Sequence, residues 1–159
     1  MTVDLQYEVQ NLNARYAEAI DDNDLEAWPE FFASDGRYRV TTADNFDKGL
    51  PLALIYATSR AMLRDRVRSL RDANVYEAQR YRHMIGPALI HAYDGREVHA
   101  QTSFMVIRIM QTGETTLFAT GRYRDHIILG AAGGEAPYFI EKVVILDSRL
   151  IDTLLAIPL

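Results

Sequence analysis

A chain of 159 residues that is 48% hydrophobic and 25% charged is long enough to bury one core without disulfides or a structural metal, and its composition lies far from the disordered regime. The net charge of −5 argues against a nucleic-acid binder, which needs a basic surface to displace phosphate counterions. The absence of cysteine excludes disulfides, thiolate zinc sites, nucleophilic thiols and cysteine-ligated iron–sulfur clusters.

Residues 1–10 carry Asp4 and Glu8 and no apolar run. They read as neither a signal peptide nor a membrane anchor, and the expected compartment is the cytoplasm. Leu5, Val9, Leu12, Tyr16 and Ile20 recur at helical spacing and predict a first helix ending in Asp21 and Asp22. Asp24 is placed to cap a second, shorter helix that Pro29 keeps irregular, with Trp28, Phe31 and Phe32 as bulky anchors. Asp35 and Gly36 read as the turn out of it. From Arg37 to Thr42, Tyr38, Val40 and Thr42 alternate with Arg37, Arg39 and Thr41, the pattern of a half-buried strand. A loop follows through Asn45, Asp47, Gly49 and Pro51. From Ser59 to Asn74 a third helix turns Leu63, Val67 and Leu70 inward. Arg60, Arg64, Arg68 and Arg71 lie on another face, with Asp65 and Asp72 as ion-pair partners inside the helix. That stripe is open to two readings, a solvated self-paired surface or a docking face for an acidic protein.

Beyond Glu77 the pattern is extended, with runs over Arg82–Tyr93, Arg96–Thr112, Thr115–Leu129 and Tyr138–Leu150. Asp94-Gly95, Gly113-Glu114 and the loose Gly130–Pro137 segment suit reversals between antiparallel neighbours, so the four strands should form a meander. The middle two are about three times the usual strand length of roughly five residues and must twist or bulge, with Gly121 as the expected point. Helices first and a long sheet after them define an α+β fold, one domain over residues 1–159, in which a curved antiparallel sheet closes on the helices as a cone-like, half-open barrel.

The four histidines, His83, His91, His99 and His126, include no H-x-x-x-H pair. A metal site would need ligands converging from separate strands, and none is expected. The glycines from Gly130 to Gly134 lack the lysine and the strand-to-helix setting of a phosphate loop. Tyr38, His83, Tyr123 and Asp125 form the most chemically suggestive set, since an Asp–His or Tyr pair inside a cone can move protons at a carbonyl carbon. Against this stands the commoner role of strand aspartates and tyrosines in hydrogen bonding and packing. Among 17 basic residues only Lys48 and Lys142 are lysines, and an arginine bias of this kind favours a chain that makes protein interfaces.

Five segments occur in a telling order: DLEAWPEFFASDGRYRV (Asp24–Val40), MLRDRVRSL (Met62–Leu70), RYRHMIG (Arg80–Gly86), GRYRD (Gly121–Asp125) and VVILDS (Val143–Ser148). Together they resemble the β, or small, subunits of Rieske-type aromatic-ring hydroxylating dioxygenases, particularly those acting on aromatic carboxylates such as terephthalate or salicylate. The resemblance implies a nuclear transport factor 2-like (SnoaL-like) cone and no catalytic residue in this chain. It implies a large α subunit as partner in an α3β3 hexamer with β–β contacts, and no nucleic-acid or membrane partner. The Rieske 2Fe-2S cluster and a mononuclear iron belong by the same resemblance to the large subunit, with NAD(P)H supplying electrons through a separate reductase. Composition agrees independently, because a Rieske cluster takes two cysteines and the chain has none. Arg82, His83, Tyr123, Asp125 and Asp147 match family positions and are the subunit-interface candidates. The alternative is a stand-alone dehydratase or isomerase of the same superfamily using His83 or Asp125.

Overall fold

Regular structure begins with α1 (Leu5–Asp21), whose first turn is closed by the Asp4 side chain accepting the backbone N–H of Tyr7 at 3.1 Å. This computed structural model describes residues 4–73, 78–130, 134–150, 155 and 157–159. Asn74, the expected end of the third helix, and residues 131–133 of the expected loop lie outside the described residues. Val9, Leu12, Tyr16 and Ile20 are buried, as their spacing requires. The short helix expected after Asp24 is instead a single 3-10 turn, Trp28–Phe31, with Pro29 at its start. Proline there removes a donor and limits the helix, and Asp24 contributes its backbone carbonyl to the N–H of Ala27 at 3.1 Å.

Strand β1 (Phe32–Thr42) starts earlier than the alternation indicated. Asp35 and Gly36 are no turn; they lie in an irregular stretch within the strand, where its register against β6 (Tyr138–Leu146) shifts between Phe32 and Arg37. The expected loop after Thr42 contains a short helix, α2 (Ala43–Asp47), and a three-residue strand, β2 (Ile55–Ala57), antiparallel to β1. Helix α3 (Arg60–Ala73) buries Leu63, Val67 and Leu70. Its arginines mostly reach across to the segment before β1. Arg60 donates to the carbonyl of Phe32 at 2.6 Å, Arg64 pairs with Glu30 at 2.7 Å and Arg71 with Glu26 at 2.8 Å, while Arg68 pairs within the helix to Asp65 at 3.7 Å. The stripe therefore stitches α3 to its neighbour.

Strands β3 (Gln79–Tyr93), β4 (Glu97–Met110), β5 (Thr115–Ile128) and β6 form the expected meander. The six-stranded order is β2-β1-β6-β5-β4-β3, with β1 parallel to β6 and the other pairs antiparallel. At the β3–β4 turn Gly95 has φ +103°, and the Asp94 carboxylate accepts the N–H groups of Arg96 and Glu97 at 2.9 and 2.8 Å. Gly121 is not the bulge. The ladder shift lies between Val106 and Ile107, which face Ala119 and Leu117 and leave Phe118 as the extra residue. Gly121 is required for a different reason, since a Cβ there would run into the carbonyl oxygen of Ile145 on β6. Outermost β3 carries Pro87 within its own register shift between Ile85 and Ala88. The curved sheet wraps α1, and their facing side chains make the interior of the cone.

Candidate functional site

Where a cone-shaped fold offers a ligand cavity, this chain places a buried ion pair. Asp125 on β5 and Lys142 on β6 are register partners with wholly buried side chains, and Lys142 Nζ lies 3.1 and 3.2 Å from the two carboxylate oxygens of Asp125. Nζ also donates to Oδ1 of Asn13 on α1 at 3.1 Å, and Asn13 Nδ2 donates to Thr102 Oγ1 on β4 at 3.3 Å. Three aromatic rings enclose the ammonium. Its distance is 3.7 Å to the Tyr123 ring centre, 4.3 Å to that of Phe139 and 4.6 Å to that of Tyr16. Hydrogen bonds and ring faces together replace the water the charge has lost. Burial still pushes the lysine down to about 8, against the pull of Asp125, and pushes Asp125 up, against the pull of Lys142.

Aromatic side chains and Leu159 also occupy the interior. Tyr16, Trp28, Phe32, Tyr38, Tyr123 and Phe139 are fully enclosed. The carbonyl of Leu159 accepts from Tyr16 Oη at 2.7 Å and Tyr38 Oη at 3.0 Å, and its N–H donates back to Tyr38 Oη at 3.1 Å. Trp28 Nε1 donates to Tyr16 Oη at 3.2 Å, which ties the 3-10 turn to the same group. Burial raises Tyr16 and Tyr123 well above the ordinary phenol value and Tyr38 to about 12. These hydroxyls stay protonated near neutral pH, and those of Tyr16 and Tyr38 serve as fixed donors to Leu159.

His83 does not join Asp125. It faces Asp21, the last residue of α1, with Nδ1 at 2.6 Å from Oδ1 and its backbone N–H at 2.9 Å from Oδ2. Because a carboxylate only accepts, Nδ1 carries the shared proton. An acid at a helix C-terminus opposes the helix dipole; here His83, with Arg82 at 3.9 Å, compensates it. His83 Nε2 and the Tyr123 hydroxyl are buried with no hydrogen-bond partner among the described residues. The dyad thus clamps the end of α1 to β3, and the Asp–His arrangement proposed from His83 and Asp125 does not exist.

Of the five interface candidates, His83, Tyr123 and Asp125 are buried within the chain, which removes them from its surface. Arg82 and Asp147 are exposed, the latter accepting from Thr120 Oγ1 at 3.0 Å. Sequence reasoning missed Lys142, Asn13, Asp21 and Leu159. It also missed a second grouping on the opposite side of the sheet, where Glu97, His99 and His126 bring one ligand atom each to within 4.8 Å of one another.

Two levels of kinship agree with this geometry. At the level of fold, the SnoaL-like domain family matches residues 1–134. The chain is 43% identical over 154 residues to the terephthalate 1,2-dioxygenase terminal oxygenase component subunit beta 2 of Comamonas sp., covering 97% of this chain and 98% of that one. It is 37% identical to the anthranilate 1,2-dioxygenase small subunit of Burkholderia cepacia, covering 96% and 93%. The β subunit of an aromatic-ring-hydroxylating dioxygenase from Novosphingobium aromaticivorans superposes with a TM-score of 0.86 at 37% identity, covering 97% and 96%. The chain belongs to the small, or β, subunit family of aromatic-ring-hydroxylating dioxygenases. No helix among the described residues is long and apolar enough to cross a membrane.

Proposed function

We propose that this chain is the non-catalytic small subunit of the terminal oxygenase of a Rieske non-haem iron system that hydroxylates an aromatic carboxylate. Its work is assembly, in a hexamer of three large and three small subunits with contacts between small subunits. The observation that carries this reading is the filled cone, in which Asp125 and Lys142 bind one another and Tyr16 and Tyr38 bind Leu159. The kinship supports the substrate class, since the curated relatives are named for terephthalate and anthranilate. A chain without cysteine does not fit a Rieske cluster. The cluster and the mononuclear iron therefore fall to the large subunit, with electrons from NAD(P)H through a separate reductase, and the cytoplasm, where that reductant is made, is the compartment we assign.

Residues 1–159 act in this reading as one β-subunit domain. The surface offered to partners is the outer sheet face, where Met84 and Met105 are direct cross-strand partners and, with Leu89 and Leu117, stand in solvent. Arg82 and Asp147 are the charged candidates at such contacts, while His83, Tyr123 and Asp125 support them from inside. Co-expression with the large subunit tests the proposal: the two should copurify as a hexamer that oxidises an aromatic carboxylate. This chain on its own should hold no iron and turn over no substrate. A chain that stays monomeric beside its large subunit, or that turns over substrate without it, overturns the reading.

A further inference from the structure

The assembly role leaves unused the donor set on the outer face of β4 and β5. Val98 and Ala100 on β4 and Asp125 and Ile127 on β5 are buried, so Glu97, His99 and His126, which alternate with them, stand on the opposite side of the sheet. His99 and His126 are direct cross-strand partners, and their rings stack with centroids 4.2 Å apart and planes 21° from parallel. Glu97 lies two residues before His99 on the same strand, and its Oε2 is 2.8 Å from His126 Nε2. On β6 the residue opposite His126 is Glu141, whose carboxylate is paired with Arg37 at 3.2 Å. The local set is therefore two imidazoles and one carboxylate.

We infer that Glu97, His99 and His126 form a binding site for a divalent metal ion of the zinc class on the outer face of the β4–β5 ladder. Two imidazoles and a carboxylate are a donor set of zinc sites that keep an open fourth position, and they favour zinc, copper or nickel over magnesium and calcium, which prefer all-oxygen shells. Metal–ligand bonds of about 2.0–2.1 Å at tetrahedral angles place ligand atoms roughly 3.4 Å apart. The present spread of up to 4.8 Å closes to that by side-chain rotation. Backbone movement is unnecessary, because the ladder already fixes His99 opposite His126. Exposed His99 is the part free to turn, and the metal takes the place between His126 and Glu97 that their 2.8 Å contact now fills. The fourth position faces outward, available to water or to a donor from a neighbouring protein.

The test uses the full-length chain, stripped with a chelator and titrated with Zn²⁺ by calorimetry in the presence of excess Mg²⁺. One Zn²⁺ per chain should bind, and His99→Ala, His126→Ala and Glu97→Gln should each weaken binding at least about tenfold, with circular dichroism confirming that each variant is folded. Crystals soaked in Zn²⁺ should show an anomalous peak at the zinc edge between the three side chains, a readout that does not depend on any variant. Undiminished binding in both histidine variants, no saturable binding by the parent chain, or an anomalous map without a peak there overturns the inference.

Discussion

The concave and convex sides of one sheet carry opposite chemistry. Inside, Lys142, Asp125, Asn13 and three aromatic rings satisfy one another in a space without solvent. Outside, apolar side chains stand in water, with Met84 55% and Leu117 62% exposed. Fully burying one such side chain is worth roughly 1.5–3 kcal/mol, so the outer face holds unrealised association energy while the buried charges inside are already paired. A fold that can enclose a small molecule becomes a building block when its cavity is filled by its own polar network and its apolar surface is turned outward.

Substitutions on the two sides should behave oppositely. The largest effect is expected for Lys142→Met, which leaves the Asp125 carboxylate buried without its partner and should cost about 3–5 kcal/mol in denaturant unfolding. The double variant Lys142→Met with Asp125→Leu should recover most of that loss, and failure to recover would show that the pair is not the unit that matters. The same lysine sets a pH dependence. Burial holds it at about 8 in the folded chain, against an ordinary value of about 10.4. Between those values the unfolded chain binds a proton that the folded chain has released, so stability from this group rises with pH across the window. Lys142→Met should lack that rise.

A smaller loss, about 1.5–3 kcal/mol, is expected for Asp21→Asn, which removes the charge from the hydrogen bonds to His83. Thermal unfolding would check it, and an unchanged midpoint would remove the clamp between α1 and β3. The smallest change in stability should come from the outer face. Met84→Asp combined with Met105→Asp should shift unfolding by no more than about 0.5 kcal/mol per substitution, yet abolish copurification with the large subunit. Retained copurification would move the interface elsewhere on the chain.

Much of the fold was legible because its signals are local. The stripe from Val9 to Ile20, the spacing of Leu63, Val67 and Leu70, and the turns at Gly95 and Gly113 each declare themselves within a few residues. The parallel pairing of β1 with β6 joins segments about a hundred residues apart and has no local signature. Strand β2, at three residues, is too short to show alternation. The interior was half legible. Asp125 shares the phase of Tyr123 and Ile127 and so was expected inside. Lys142 shares the phase of Val144 and Leu146, but a lysine is assigned to solvent by default, and only its aromatic cage and carboxylate reverse that. Asp21 looked like a helix terminus because His83, 62 residues away, is invisible from it. The Glu97, His99 and His126 grouping depends on the β4–β5 register, which periodicity does not supply.

The sheet ends in two unlike borders. One is the three-residue β2, and the other is β3, interrupted at Pro87. A strand of three residues gives a neighbouring chain almost nothing to pair with, and a proline-bearing irregularity breaks the run of free amides along the far border. Copies that meet before finding a large subunit therefore lack a continuous template for adding strand to strand. Addition of strand to strand is thereby disfavoured at both borders of the sheet.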